Sequence, residues 1–99
     1  MLLYATDQYP PNSIAVGDFN NNTLLDVAVG HSHVNSTDVF LGQRNGTLAT
    51  QTMFPTGCSP WSATAVDFNN DYRLDIAVTN GNENNVGALL GYGNGSFSA

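Results

Sequence analysis

Sliding the chain against itself by 49 residues aligns it end to end without a gap. This repeat limits the fold more than any other feature. Each copy must be one supersecondary unit that buries apolar surface against its neighbour. Asp18-Phe19-Asn20-Asn21 falls on Asp67-Phe68-Asn69-Asn70, Leu25-Asp26 on Leu74-Asp75, and Ala28-Val29 on Ala77-Val78. Leu41-Gly42 meets Leu90-Gly91, Asn45-Gly46 meets Asn94-Gly95, and fifteen of the fifty paired positions are identical.

Each copy reads as short strands. Residues 13–19 and 62–68, 24–30 and 73–79, and 39–42 and 86–91 are short stretches with β-branched or apolar residues, and 47–53 reads as a fourth strand. Asn-Gly at 45–46 and 94–95 predicts hairpins with both turn residues at positive φ. No helical period persists for three turns. Four short strands in about 49 residues is the size of one propeller blade. The expected fold is therefore all-β: two four-stranded antiparallel propeller-type blades, incomplete alone. The expected division is 1–11, an outer-strand remnant completing a neighbouring blade; 12–60, the first blade; and 61–99, the second, with its fourth strand incomplete.

Charge is sparse and one-sided. Eight acidic residues face two arginines, and the net charge is −6. Such a surface excludes phosphate-rich nucleic acid and an anionic membrane as partners. No apolar run reaches the ~18 residues that span a bilayer. Residues 1–10 lack the basic start of a signal peptide. Five of the acids, Asp18, Asp26, Asp67, Asp71 and Asp75, gather in two short loops. Within each loop, oxygen side chains recur at positions 1, 3, 5 and 9: Asp18, Asn20, Asn22 and Asp26, then Asp67, Asn69, Asp71 and Asp75. That spacing can wrap a loop around one hard cation, with Leu24 and Arg73 contributing backbone carbonyls at position 7. Mixed carboxylate and amide oxygens suit Ca²⁺, about two per chain, and the lack of imidazole or thiol in either loop disfavours zinc and copper. An EF-hand would need glycine at position 6 and glutamate at position 12, where the chain has Thr23 and Tyr72, then Val29 and Val78. The other reading is an Asx-turn hairpin, in which Asp and Asn bond only backbone amides.

The run Pro-x-Ser-x-Ala-x-x-Asp-Phe-Asn-Asn-(Asn/Asp)-x-x-Leu-Asp-(Val/Ile)-Ala-Val, followed by Leu-Leu-Gly-Tyr-Gly-Asn-Gly-Ser-Phe, resembles the FG-GAP/VCBS repeat found in integrin α-subunit propellers. The resemblance covers essentially the whole chain. It implies four-stranded blades around an axis, with Ca²⁺ held between the first two strands by Asp18, Asn20, Asn22 and Asp26, and by Asp67, Asn69, Asp71 and Asp75. Both copies depart from the family in having Asn at position 3, and loop one also has Asn22 at position 5. Two carboxylates against three make loop two the expected tighter site.

Two blades cannot close a ring, which takes about four to eight. Met1 and Ala99 both align with Thr50, in the middle of a fourth strand, so the residues read as one unit of an array, ring or filament, partnered by further copies. Four sequons, at Asn21, Asn35, Asn45 and Asn94, point to an extracellular glycoprotein, with Asn45 and Asn94 on exposed turns. Cys58 has no partner for an internal disulfide and reads as a filler. His31 and His33 read as a solvated loop rather than a metal pair, because the second copy has Asn80 and Asn82 there. Trp61 reads as packing rather than a sugar platform. No catalytic constellation is expected. The function classes left are a calcium-stabilised structural or adhesive repeat and a ligand-binding, lectin-like or integrin-like module that contacts glycans.

Overall fold

The computed structural model describes residues 3–4, 11–31, 36–56, 60–80 and 84–98. It is all-β: two four-stranded antiparallel sheets, each a blade in strict sequence order. The first blade holds β1 (Pro11–Gly17), β2 (Asp26–His31), β3 (Ser36–Phe40) and β4 (Thr52–Pro55). The second holds β5 (Pro60–Val66), β6 (Asp75–Asn80), β7 (Asn85–Gly91) and β8 (Phe97–Ser98). The first three strands of the two blades start 49 residues apart, the offset of the sequence repeat. Among the described residues no helix is long and apolar enough to cross a membrane.

Strand positions differ from the sequence reading in informative ways. β1 and β5 stop at Gly17 and Val66, before the loop aspartates rather than at Phe19 and Phe68. β2 and β6 begin only at Asp26 and Asp75, because the preceding residues belong to the loops. The expected fourth strand at 47–53 resolves into a lone bridge between Gly42 and Leu48, then β4 from Thr52. The Asn-Gly turns also differ. Only the glycines, Gly46 at 84° and Gly95 at 91°, take positive φ. Gly46 N donates to Gln43 O at 3.0 Å, and Gln43 N to Thr47 O at 2.8 Å, so the hairpin is a longer type I turn with a glycine bulge.

His31 is not in a solvated loop. It ends β2, is buried, and its Nε2 lies 2.9 Å from Asp38 Oδ2 on the adjacent strand. The same corner of the second blade is polar too, with Asn80 Nδ2 donating to Asn85 Oδ1 at 3.0 Å. His33, Asn35, Cys58, Asn82 and the side chain of Trp61 lie outside the described residues, as does most of the 1–11 segment. Of that segment, Tyr4 rests on the first blade. Its hydroxyl accepts the Leu48 N–H at 2.9 Å, and its ring lies 6.3 Å from Phe40.

The core lies between the blades. Ala15, Ala28 and Val39 share one face of the first sheet, and they pack on Ala63, Ile76, Val78 and Leu89 from one face of the second. Small alanines on one side let larger side chains enter from the other, which is how close-packed interiors fill space. Three rings tie the lower edge. Phe97 meets Phe19 edge-on at 5.4 Å and Phe54 at 5.2 Å.

One glycine per blade is demanded by backbone proximity. A Cβ on Gly42 would strike the Leu25 carbonyl oxygen, and one on Gly91 the Leu74 carbonyl oxygen. Gly91→Ala is therefore expected to destabilise the chain by about 3 kcal/mol, since backbone rather than a mobile side chain must yield. Thermal melting checks this against Gly46→Ala. Gly46 has open space around it, so that change meets only the strain of positive φ, about 1 kcal/mol. Equal losses would contradict the packing argument.

Candidate metal loops

Each loop joins the first two strands of its blade, and each is built the same way. Asp18 caps its own loop: Oδ1 accepts the Asn22 N–H at 3.1 Å and Oδ2 the Thr23 N–H at 2.8 Å. Asp67 repeats this with Asp71 at 3.2 Å and Tyr72 at 2.9 Å. The side chain at position 5 then turns the chain again. Asn22 Oδ1 accepts from Leu24 N, and Asp71 Oδ1 from Arg73 N, both at 3.0 Å. These are the Asx-turns expected of short polar side chains beside their own backbone. Leu24 and Arg73, the expected carbonyl donors, sit at the exit of each loop, two residues before β2 and β6.

Position 9 plays a separate part. Asp26 and Asp75 are fully buried. Asp26 Oδ2 accepts the Phe19 N–H at 2.8 Å and Oδ1 the Gly42 N–H at 2.7 Å. Asp75 does the same with Phe68 at 3.0 Å and Gly91 at 2.8 Å. The sequence pattern grouped these aspartates with the other loop oxygens and gave no sign of this task. The signal was the paired Leu-Gly sixteen residues on, whose N–H the carboxylate reaches.

Position 3 differs between the two loops. Asn20 Oδ1 is buried and has no hydrogen-bond partner. In loop two, one end of the Asn69 amide lies 3.0 Å from Asp71 Oδ1 and 3.1 Å from Asp67 Oδ1. With nitrogen there, the amide donates to both carboxylates; with oxygen there, three oxygens converge and need a cation between them. Either way, the structure brings positions 1, 3 and 5 of loop two together. Among the described residues no group of three or more His, Cys, Asp or Glu side chains gathers around one point. Any cation held here therefore depends on amide and carbonyl oxygens as much as on carboxylates, a donor set that fits calcium.

Electrostatics agree with an anionic loop. Desolvation pushes the Asp67 carboxyl up, but the N–H groups of Tyr72, Asp71 and Asn70 and the Asp71 side chain outweigh it, leaving Asp67 below its ordinary value. The backbone is also strained at matching places. Asn21 and Thr23 have φ of 59° and 69°, and Asn70 and Tyr72 have 58° and 64°. Left-handed φ is unfavourable for a β-branched or bulky residue, so the loop geometry is imposed against local preference.

Tandem four-stranded blades, each with an Asp/Asn loop between its first two strands, define a β-repeat module. The FG-GAP-like repeat profile matches residues 18–78, more than half of the chain, and the chain belongs to that family. No curated protein and no solved structure matches it.

Tyr72 is 92% exposed, so its ring packs on nothing that glycine would lose. Tyr72→Gly is expected to stabilise the chain by about 1 kcal/mol, by relieving left-handed strain. A melting temperature that falls would show that the strain is not local to this residue.

Proposed function

We propose that the chain is a calcium-stabilised, extracellular structural or adhesive repeat that assembles with neighbouring copies, and that it is not an enzyme. The gathering of Asp67, Asn69 and Asp71 at one point supports the calcium reading: the Asn69 amide nitrogen donates to the two carboxylates at 3.1 and 3.0 Å, and a half-turn of the amide puts its oxygen in that place. Oxygens bound to one Ca²⁺ at about 2.3–2.6 Å stand about 3 Å from one another, so the spacing suits a shared cation. The unpartnered Asn20 Oδ1 supports a weaker counterpart in loop one. Among positions 1, 3 and 5, loop one has a single carboxylate, Asp18, and loop two has two, Asp67 and Asp71, which sets the order of affinity. Filling both loops would bring the formal charge from −6 to about −2 and ease the packing of acidic units. A cation would replace the strained, self-capped loop with one held from its centre.

The sequons support an extracellular setting. Asn45 and Asn94 are exposed, and each folds its sequon into an Asx-turn, accepting Thr47 N at 3.1 Å and Ser96 N at 3.0 Å. Asn21 is a poorer acceptor. Its Nδ2 faces the turn of the second blade, where a Cβ on Gly93 would come within 3.1 Å. On secretion from a eukaryotic host, glycan is expected at Asn45 or Asn94 and not at Asn21. Site mapping by mass spectrometry would contradict this if Asn21 alone were modified.

Calcium titration followed by thermal melting tests the main reading. A ligand at a hundred times its Kd adds about 2.7 kcal/mol per site, a rise of about 10 °C for a domain of this size. Asp67→Asn is expected to remove most of that rise and Asp18→Asn the smaller part. No shift at millimolar calcium would end the calcium reading, and equal effects of the two substitutions would end the ordering of the loops.

A further inference from the structure

We propose that the two loops are coupled: calcium held in loop two raises the affinity of loop one for a second ion, through the turn between β7 and β8. This rests on the calcium reading and adds how the two sites act on one another.

That turn touches both loops. From loop two, Asp75 Oδ1 accepts the Gly91 N–H at 2.8 Å, where β7 enters the turn. From loop one, the Phe19 carbonyl accepts the Gly95 N–H at 3.1 Å, on the far side of the turn. Between these bonds Gly93 is held from both directions. A Cβ there would lie 3.1 Å from Asn21 Nδ2 of loop one, and 3.2 and 3.3 Å from Arg73 Cγ and Cδ of loop two. A second contact lies where β1 ends. A Cβ on Gly17, the residue before Asp18, would come within 2.5 Å of Cδ1 of Leu74, the residue before Asp75. The Leu74 carbonyl is also the group that leaves no room for a Cβ on Gly91. Loop one, the turn and loop two are therefore contiguous, although the loops are 49 residues apart and belong to different sheets.

Every contact in this bridge adjoins a candidate ligand. Gly17 precedes Asp18, and Phe19 and Asn21 flank Asn20. Arg73 is the candidate carbonyl donor of loop two, and Asp75 is its position 9. An ion that draws the loop-two oxygens together fixes Arg73 and Asp75. Through them it fixes the turn, and through the turn the backbone on both sides of Asn20. The free energy of ordering the shared turn then falls on the first ion alone, and the second binds more tightly for it. Repulsion between the two ions acts the other way, and salt screens it between exposed loops. Loop two has more carboxylates and fills first, so the gain appears at loop one, whose buried Asn20 Oδ1 lacks a partner. The coupling is reciprocal, as linkage requires.

Calorimetric titration of the whole chain with calcium, in about 0.15 M salt, measures this. Asp18→Asn reports loop two alone, and Asp67→Asn reports loop one alone. The overall association constant of the wild type is expected to exceed the product of those two constants at least about fivefold. Asn21→Gly and Arg73→Ala remove the side chains that meet at Gly93. Both positions are exposed, and glycine is at ease at the left-handed φ of Asn21. Each change should lower the same ratio, measured in its own background, by about twofold or more. Arg73→Lys keeps the charge and both methylenes and should retain it. In Asp18→Asn, calcium should also slow exchange of the Gly95 N–H, whose acceptor belongs to loop one. A wild-type ratio of one, a ratio unchanged by both Asn21→Gly and Arg73→Ala, or a Gly95 exchange rate indifferent to calcium overturns the coupling and leaves the calcium reading standing. One ion per chain overturns the coupling as well, and no binding by the wild type ends both.

Discussion

The blade depends on a buried carboxylate that joins two distant pieces of backbone. Asp26 holds the N–H of Phe19, at the start of the loop, and the N–H of Gly42, just beyond β3. Asp75 does the same for Phe68 and Gly91. Hydrogen bonds to an ionised group are worth about 1.5–3 kcal/mol each, and losing the acceptor would strand two donors. The geometry leaves no slack, because Gly42 and Gly91 must come close enough to the preceding leucine carbonyls that no Cβ fits. Aspartate at position 9 and glycine after the leucine are thus one device with two parts. It fastens the loop and the start of the second strand to the backbone just beyond the third. Each oxygen accepts one N–H in this arrangement, and a carboxylate oxygen has a second lone pair, so the fastening does not use up the capacity to ligate.

This division of labour explains the loop's odd backbone. With position 9 tied into the sheet, the remaining residues must turn within a few positions. Asp18 and Asp67 supply the turn by accepting successive N–H groups, at the expense of two left-handed residues per loop. Thr23 and Tyr72 occupy a place where glycine would be at ease. What the turn gains is the inward set at positions 1, 3 and 5, brought together most clearly around Asn69.

The fold was legible because the repeat is carried by residues with local meaning. The aspartates that begin β2 and β6, and the polar loops that end β1 and β5, recur at one spacing. What escaped depends on contacts between distant residues. His31 looks like loop in a polar run, yet Asp38 meets it across the sheet and the pair is buried. The stretch 47–53 has strand composition throughout, but it pairs only at Leu48 before β4 begins at Thr52. The Asn-Gly dipeptide was a sound sign of a turn and a poor sign of its type, because the longer loop places only glycine at positive φ. In the candidate site, the oxygen spacing was legible at every position. The split between the fastening aspartate and the converging three was not, since it turns on two N–H groups supplied from other segments.

The two halves are alike in sequence and unlike in surroundings, and the loop is where that difference is generated. Side chains at positions 1 and 3 turn into the loop, while position 2 between them points away. In loop one that residue is Phe19, and its ring packs edge-on against Phe97 of the other blade. The backbone that presents the ring also gives its carbonyl to Gly95 and its N–H to Asp26. Any force that orders the oxygens on either side of Phe19 therefore also fixes the angle at which the ring enters the next blade. Local order in the loop and order between blades are then a single variable. Phe68 sits in the same frame, with its N–H held by Asp75 and its ring half exposed.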